Sequence, residues 1–175
     1  KNIVLKIVVT EKNIVFSTRK IKYSKEDYKN GFKLKLSSVL RNPTSMMTYL
    51  KALSYNENLY EYNKANKEGF NEVVFLNIYG NIAEGATSNI FIIKDKKIYT
   101  PKISDGILPG VVRNWVIKNF RVCEKHLDKE DLYSADEVFI TNSILGIMKI
   151  VQFEERSYST SMVERIRSEY EQFII

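Results

Sequence analysis

EGATSNIFIIKDKKIYTPKISDGILPGVVR, residues 84–113, decides the reading of this chain. Glu84 stands ahead of four small residues, Ile90 to Ile93 form a short apolar run, Asp95, Lys96 and Lys97 mark a turn, and Ile98 and Tyr99 return. An apolar run bounded by turn residues reads as a buried strand with its hairpin partner. Pro109-Gly110 then opens an amphipathic helix, Val111 to Phe120. The free N–H groups and the dipole at such a helix start favour an anion, so a phosphate is expected there.

Upstream, Glu72 to Asn77 (EVVFLN) and the residues from Ile82 flank the turn Tyr79-Gly80-Asn81, a hairpin whose second arm delivers Glu84. Phe32, Leu34 and Leu36 alternate with Lys33, Lys35 and Ser37, giving a strand over Phe32 to Val39 that Arg41-Asn42-Pro43 ends. Asn2 to Thr10 and Asn13 to Ser17 read as a hairpin, with the alternating apolar positions of an interior strand. Thr44 to Lys51 is irregular, and Ala52 to Glu68 is a helix closed by Gly69, so Lys51 stands where a loop enters a helix.

Downstream come a strand (Val122 to Leu127), a short helix (Lys129 to Ser134), a strand from Asp136 to Thr141 ending at Asn142-Ser143, and a last strand, Ile147 to Phe153. Ser161 and Glu164 have the spacing of a capping box for a terminal helix carrying Ile166, Tyr170 and Phe173. Strands outnumber helices and arrive mostly as hairpins. The fold class is therefore α+β, with an antiparallel or mixed, barrel-like sheet and helices packed outside it.

A chain of 175 residues has room for one domain with a substantial core. Hydrophobic residues (44%) and charged residues (27%) are in ordinary proportion, and no apolar run approaches the ~18 to 20 residues of a membrane helix, so no membrane partner is expected. The net charge of +6 comes from scattered lysines rather than a block, a solvated surface and not a nucleic-acid footprint. Cys123 and His126 are each alone, which excludes an internal disulfide and a Cys/His zinc site and fits a reducing cytoplasm. Both read as polar residues near a strand end.

EGATSNIF, YTP and GILPGVVR together resemble the signature of the class IV aminotransferase family, the pyridoxal phosphate enzymes of fold type IV, over about Lys51 to Gly146. The resemblance implies a large C-terminal domain built on a distorted barrel, pyridoxal 5'-phosphate as cofactor, a small amino compound as substrate and a homodimer. Family members carry a small domain before this one. Residues 1–175 are thus expected to be the C-terminal cofactor-binding domain, with the N-terminal domain absent.

Residue by residue, LKALSYNEN (50–58) resembles the segment of the cofactor-bearing lysine, which makes Lys51 the catalytic base and acid. Such an amine needs burial or nearby positive charge to be partly unprotonated at neutral pH. Glu84 matches the carboxylate facing the ring nitrogen, and Leu108 a residue packed on the ring. The backbone N–H groups of Val111 and Val112, with Asn142 and the Ser143 hydroxyl, match the phosphate site, although several relatives have threonine at position 112. Thr87 and Ser88 are further candidates near ring or phosphate, or simply satisfy backbone groups in a turn. Tyr55 is placed to reach the ring's phenolic oxygen or to be a core tyrosine. Arg19 and Arg41 lie out of context for the phosphate arginine that the first domain supplies in the family.

EVFITNSILGI (137–147) resembles the TNS segment of aminodeoxychorismate lyases, where aminotransferase relatives more often read GT or ST. The expected reaction is conversion of 4-amino-4-deoxychorismate to 4-aminobenzoate and pyruvate, a step toward folate. The alternatives are a branched-chain or D-amino acid aminotransferase using the same Lys51 and Glu84, and a truncated, non-catalytic partner module.

Overall fold

The computed structural model describes residues 3–174, so the Asn2 end of the expected first strand lies outside the described residues. Two strands, β1 (Ile3–Val9) and β2 (Ile14–Lys20), pair only with each other. Their register puts Ile3, Leu5, Ile7, Val9, Ile14 and Phe16 on one face, and these side chains are all more than half exposed. The hairpin is as read. Its interior placement is not, because no other described element packs over that face.

After the hairpin come α1 (Lys25–Asn30), β3 (Phe32–Arg41), α2 (Asn56–Lys67), β4 (Glu72–Asn77), β5 (Ile82–Gly85), β6 (Asn89–Lys94) and β7 (Lys97–Pro101). Then follow α3 (Val111–Asn119), β8 (Val122–Lys125), α4 (Lys129–Tyr133), β9 (Glu137–Asn142), β10 (Gly146–Phe153), β11 (Arg156–Ser157) and α5 (Ser161–Phe173). Nine strands form one sheet in the order β5-β4-β3-β10-β9-β6-β7-β8, with β11 hydrogen-bonded to β10. It is mixed because β3–β4 and β7–β8 are joined through the crossover helices α2 and α3 and therefore run parallel, whereas the tight turns give antiparallel pairs. The β6–β7 turn uses Asp95 and Lys96, both at positive φ, the geometry whose twist suits a two-residue hairpin; Lys97 already pairs with Lys94.

The sheet curls until its ends meet. The Ile82 N–H of β5 donates to the Leu127 C=O just past β8 (2.6 Å). Beside this seam the buried Asp105 carboxylate takes His126 Nδ1 at 2.7 Å, and its C=O accepts Asn77 Nδ2 at 3.1 Å. His126 is therefore a closing contact of the barrel.

Both faces of the central strands are covered, which explains an unbroken apolar run such as Ile90–Ile93. Ile90, Ile92, Val138 and Ile140 enter the barrel core with Leu34, Met148 and Phe153. Phe91, Ile93 and Phe139 point the other way, under α3 and α5, where they meet Val112, Val116, Val163 and Ile166. Phe91 and Phe139 are register partners and stack at 4.6 Å.

Two local features differ from the sequence reading. Helix α1 carries no apolar periodicity. It forms around a capping box in which Ser24 Oγ accepts the Asp27 N–H and the Asp27 carboxylate accepts the Ser24 N–H. At α5 the expected Ser161–Glu164 box is absent. A carboxylate from the neighbouring strand serves instead: Glu137 accepts Ser161 Oγ (3.1 Å), Met162 N–H (3.0 Å) and Val163 N–H (2.9 Å), while Glu164 accepts Lys149 Nζ. Glu137→Ala is expected to cost about 1 to 3 kcal/mol by leaving these donors unmet, read as a lowered Tm; an unchanged Tm would contradict this capping.

Candidate active site

Glu84 lies near the end of β5, partly buried, and its Oε2 accepts the Leu108 N–H (3.0 Å) and Asn89 Nδ2 (3.2 Å). Asn89 Nδ2 also reaches the Leu108 C=O at 2.8 Å, so one carboxamide ties the acid to the turn that leads into α3. Two residues on, Gly110 is the N-cap of α3 and makes no side-chain cap. A Cβ there would collide with Asn89 Oδ1, so glycine is needed for this close approach. The first-turn N–H groups of Val111 and Val112 are left for an anion. Val111 is 76% exposed, whereas Val112 packs into the core beneath. Arg113 fixes the same turn from inside: its Nη2 donates to the Pro101 C=O and the Glu124 carboxylate.

Lys51 is in the segment between a 3-10 turn (Met46–Tyr49) and α2, five residues before the helix instead of at its start. Its Nζ is 5.9 Å from the centre of the Tyr55 ring. The expected burial of the amine is not met, since Lys51 is exposed among the described residues. Lys51 and Arg41 both bear on Glu84. Arg41, at the end of β3, lays its guanidinium 4.2 Å from the Phe75 ring centre, and its Nε and Nη2 are buried with no hydrogen-bond partner among the described residues. Burial pushes the Glu84 carboxyl up to about 7, against the Leu108 N–H and the charges of Arg41 and Lys51.

The Tyr55 hydroxyl donates to the Ala86 C=O, and burial pushes it up to about 12. That bond makes Tyr55 a wall post at the start of α2, joined on the same carbonyl by Asn58 Nδ2. The hydroxyls of Thr87 and Ser88 turn inward instead of to backbone. Both donate to the Glu72 carboxylate (2.8 and 3.0 Å), a buried acid that also accepts the Val73, Ala86 and Thr87 N–H groups. Asn142 Nδ2 donates to the Thr87 C=O, and its Oδ1 accepts the N–H groups of Ile144 and Leu145, which leaves Ser143 exposed on a turn.

The structure thus joins Lys51, Tyr55 and Glu84 through charge and ring contact, Glu84 and Leu108 through hydrogen bonds, and Thr87 with Asn142. Asn89 and Glu72 are additions. Asn89 could be found from the polar residue directly before an apolar run, and Glu72 from a charge opening the buried strand EVVFLN. Arg41, set aside above, stands within electrostatic reach of Glu84.

Residues 2–153 match the family model described as amino-transferase class IV. The chain belongs to the class IV aminotransferase family. An aminodeoxychorismate lyase of Bacillus subtilis is 35% identical over 135 residues, which is 74% of this chain and 46% of that protein. A branched-chain-amino-acid aminotransferase of Pseudomonas aeruginosa is 32% identical over 138 residues, 75% of this chain and 45% of that protein. An aminotransferase of Brucella abortus, solved with pyridoxal phosphate bound, superposes with a TM-score of 0.79 at 27% identity, covering 91% of this chain and 58% of that one. The chain spans about half the length of these curated relatives.

The residues present fit the cofactor of class IV aminotransferases. Glu84 is a carboxyl that ionises only against burial, so a cation such as a protonated ring nitrogen would suit it. The uncapped start of α3 suits a phosphate, and Arg41, with its orphan donors, puts positive charge within reach of Glu84.

Because the folded value of Glu84 lies above its ordinary 4.5, its stabilising contribution is complete below that pH and is lost as pH rises through about 7. Cofactor-free wild type should therefore lose stability relative to Glu84→Gln across this window, by at most about 3 kcal/mol. Parallel Tm curves for the two proteins would refute the shift.

Proposed function

We propose that this protein is a pyridoxal phosphate-dependent lyase that converts 4-amino-4-deoxychorismate to 4-aminobenzoate and pyruvate, acting in the cytoplasm as a homodimer. The observation that carries the cofactor reading is Glu84: a buried acid pinned to the turn of an uncapped helix, with Lys51 and Arg41 as its nearby charges. When bound, pyridoxal phosphate supplies an electron sink that stabilises negative charge on the substrate.

The chain's own side chains do the rest. Ionised Glu84 keeps a proton on the ring nitrogen and is itself held in place by Leu108 and Asn89. The N–H groups of Val111 and Val112 and the Ser143 hydroxyl hold the phosphate, and Leu108 borders the ring. Lys51, freed by the substrate amine, takes the proton from the substrate as general base and returns one as general acid. On this reading the exposed amine is covered by the rest of the assembled protein.

The lyase assignment is supported by Asn142. Its carboxamide builds the Ser143 turn through three hydrogen bonds, and it lies in the TNS segment that resembles aminodeoxychorismate lyases. The Bacillus subtilis lyase is also similar to this chain. An aminotransferase remains the second reading, because the Pseudomonas aeruginosa enzyme is similar to a comparable degree.

Adding pyridoxal phosphate should produce a lysine-dependent visible absorbance in the wild type that Lys51→Ala lacks; no such absorbance in either protein would sink the cofactor reading. With 4-amino-4-deoxychorismate, release of 4-aminobenzoate is expected. Amino transfer to 2-oxo acids without that release would instead establish the aminotransferase.

A further inference from the structure

Glu72 is a buried carboxylate that the proposed chemistry does not use. It opens β4, is 1% exposed, and takes five hydrogen bonds. The Val73 and Ala86 N–H groups reach Oε1 at 3.0 and 3.2 Å, and the Thr87 N–H, Thr87 Oγ1 and Ser88 Oγ reach Oε2 at 3.3, 2.8 and 3.0 Å. Every one of these partners is a neutral donor. Gly85 lets the loop close on the acid, since a Cβ there would stand 3.3 Å from the Glu72 carboxyl carbon and collide with Ser88 Oγ.

The outward carbonyls of the same loop hold two separate parts of the site. Ala86 C=O receives Tyr55 and Asn58 from the start of α2, close to Lys51. Thr87 C=O receives Asn142, whose Oδ1 in turn shapes the Ser143 turn. The loop therefore has an inner side fastened to one carboxylate and an outer side that carries two walls.

We infer that Glu72 is a positioning residue: by fixing the Ala86–Ser88 main chain it sets the spacing between the Lys51–Tyr55 wall and the Ser143 turn. This rests on the pyridoxal phosphate reading and adds to it the group that holds the two sides of the cofactor in register. Glutamine has the same shape but turns an NH₂ toward N–H donors on one face, so it cannot satisfy both halves of the loop.

The test compares Glu72→Gln with Glu137→Gln, a matched change at the buried carboxylate that caps α5 and lies outside the relay. In cofactor-free protein, Glu72→Gln should speed amide exchange not only at Ala86 and Thr87 but also at Ile144 and Leu145, across the relay, whereas Glu137→Gln should speed it at Met162 and Val163. The pyridoxal phosphate dissociation constant should rise at least about tenfold in Glu72→Gln and stay within about twofold in Glu137→Gln. Asn142→Ala should add little on top of Glu72→Gln, since the two act through one path.

Unchanged exchange at Ile144 and Leu145 in folded Glu72→Gln overturns the inference, as does an equal loss of affinity in Glu137→Gln at a similar Tm drop. Should Glu72→Gln not fold, Ser88→Ala removes a single donor from the carboxylate and is judged by the same exchange pattern. A wild type with no lysine-dependent absorbance would fail the cofactor reading, and the exchange arm reports on Glu72 independently of that result.

Discussion

The Glu84 carboxylate is bound to groups 5 and 24 residues further along the chain, Asn89 and Leu108, and the candidate site depends on that tie. An acid so enclosed resists ionisation unless donors and positive charge face it, and here one donor, the Leu108 N–H, comes from the turn that opens α3. One contact therefore fixes both where a negative charge stands and where a helix N-terminus begins. Gly110 is the steric condition for it, because any side chain at that position would displace Asn89.

The barrel makes this local arrangement possible. The mixed strand order places β5 at one end of the sheet and β8 at the other, and the Ile82–Leu127 bond brings those ends together. Strands β4, β6 and β9 then hand Glu72, Asn89 and Asn142 to neighbouring loops, while Phe91 and Phe139 anchor β6 and β9 against α3 and α5. Burying each such aromatic side chain is worth about 1.5 to 3 kcal/mol, enough to keep polar loops at the rim in one geometry. The exposed apolar face of the β1–β2 hairpin is the opposite case, a patterned surface with no cover among the described residues.

What the sequence revealed was what is local. Apolar runs and turn residues mark the β4–β5 and β6–β7 hairpins, and Pro109-Gly110 marks the start of α3, because each signal is contained in a few consecutive residues. The contacts that failed to show depend on residues far apart. Ser161 and Glu164 have a capping-box spacing, yet a carboxylate 24 residues before Ser161 captures the helix start first. Thr87 and Ser88 look free as written, but Glu72 claims both hydroxyls from the start of β4. Lys51 was singled out by the resemblance of LKALSYNEN, whereas its exposure depends on long-range packing that short-range pattern does not encode.

The central claim is that Glu84 governs the protonation of a ring nitrogen held at the start of α3. Nitrogen-15 NMR of pyridoxal phosphate labelled in the ring and bound to the protein tests it most directly. The account predicts a protonated ring nitrogen in the wild type and an unprotonated one in Glu84→Gln. An unprotonated nitrogen in the wild type, or a protonated one that survives Glu84→Gln, would contradict it.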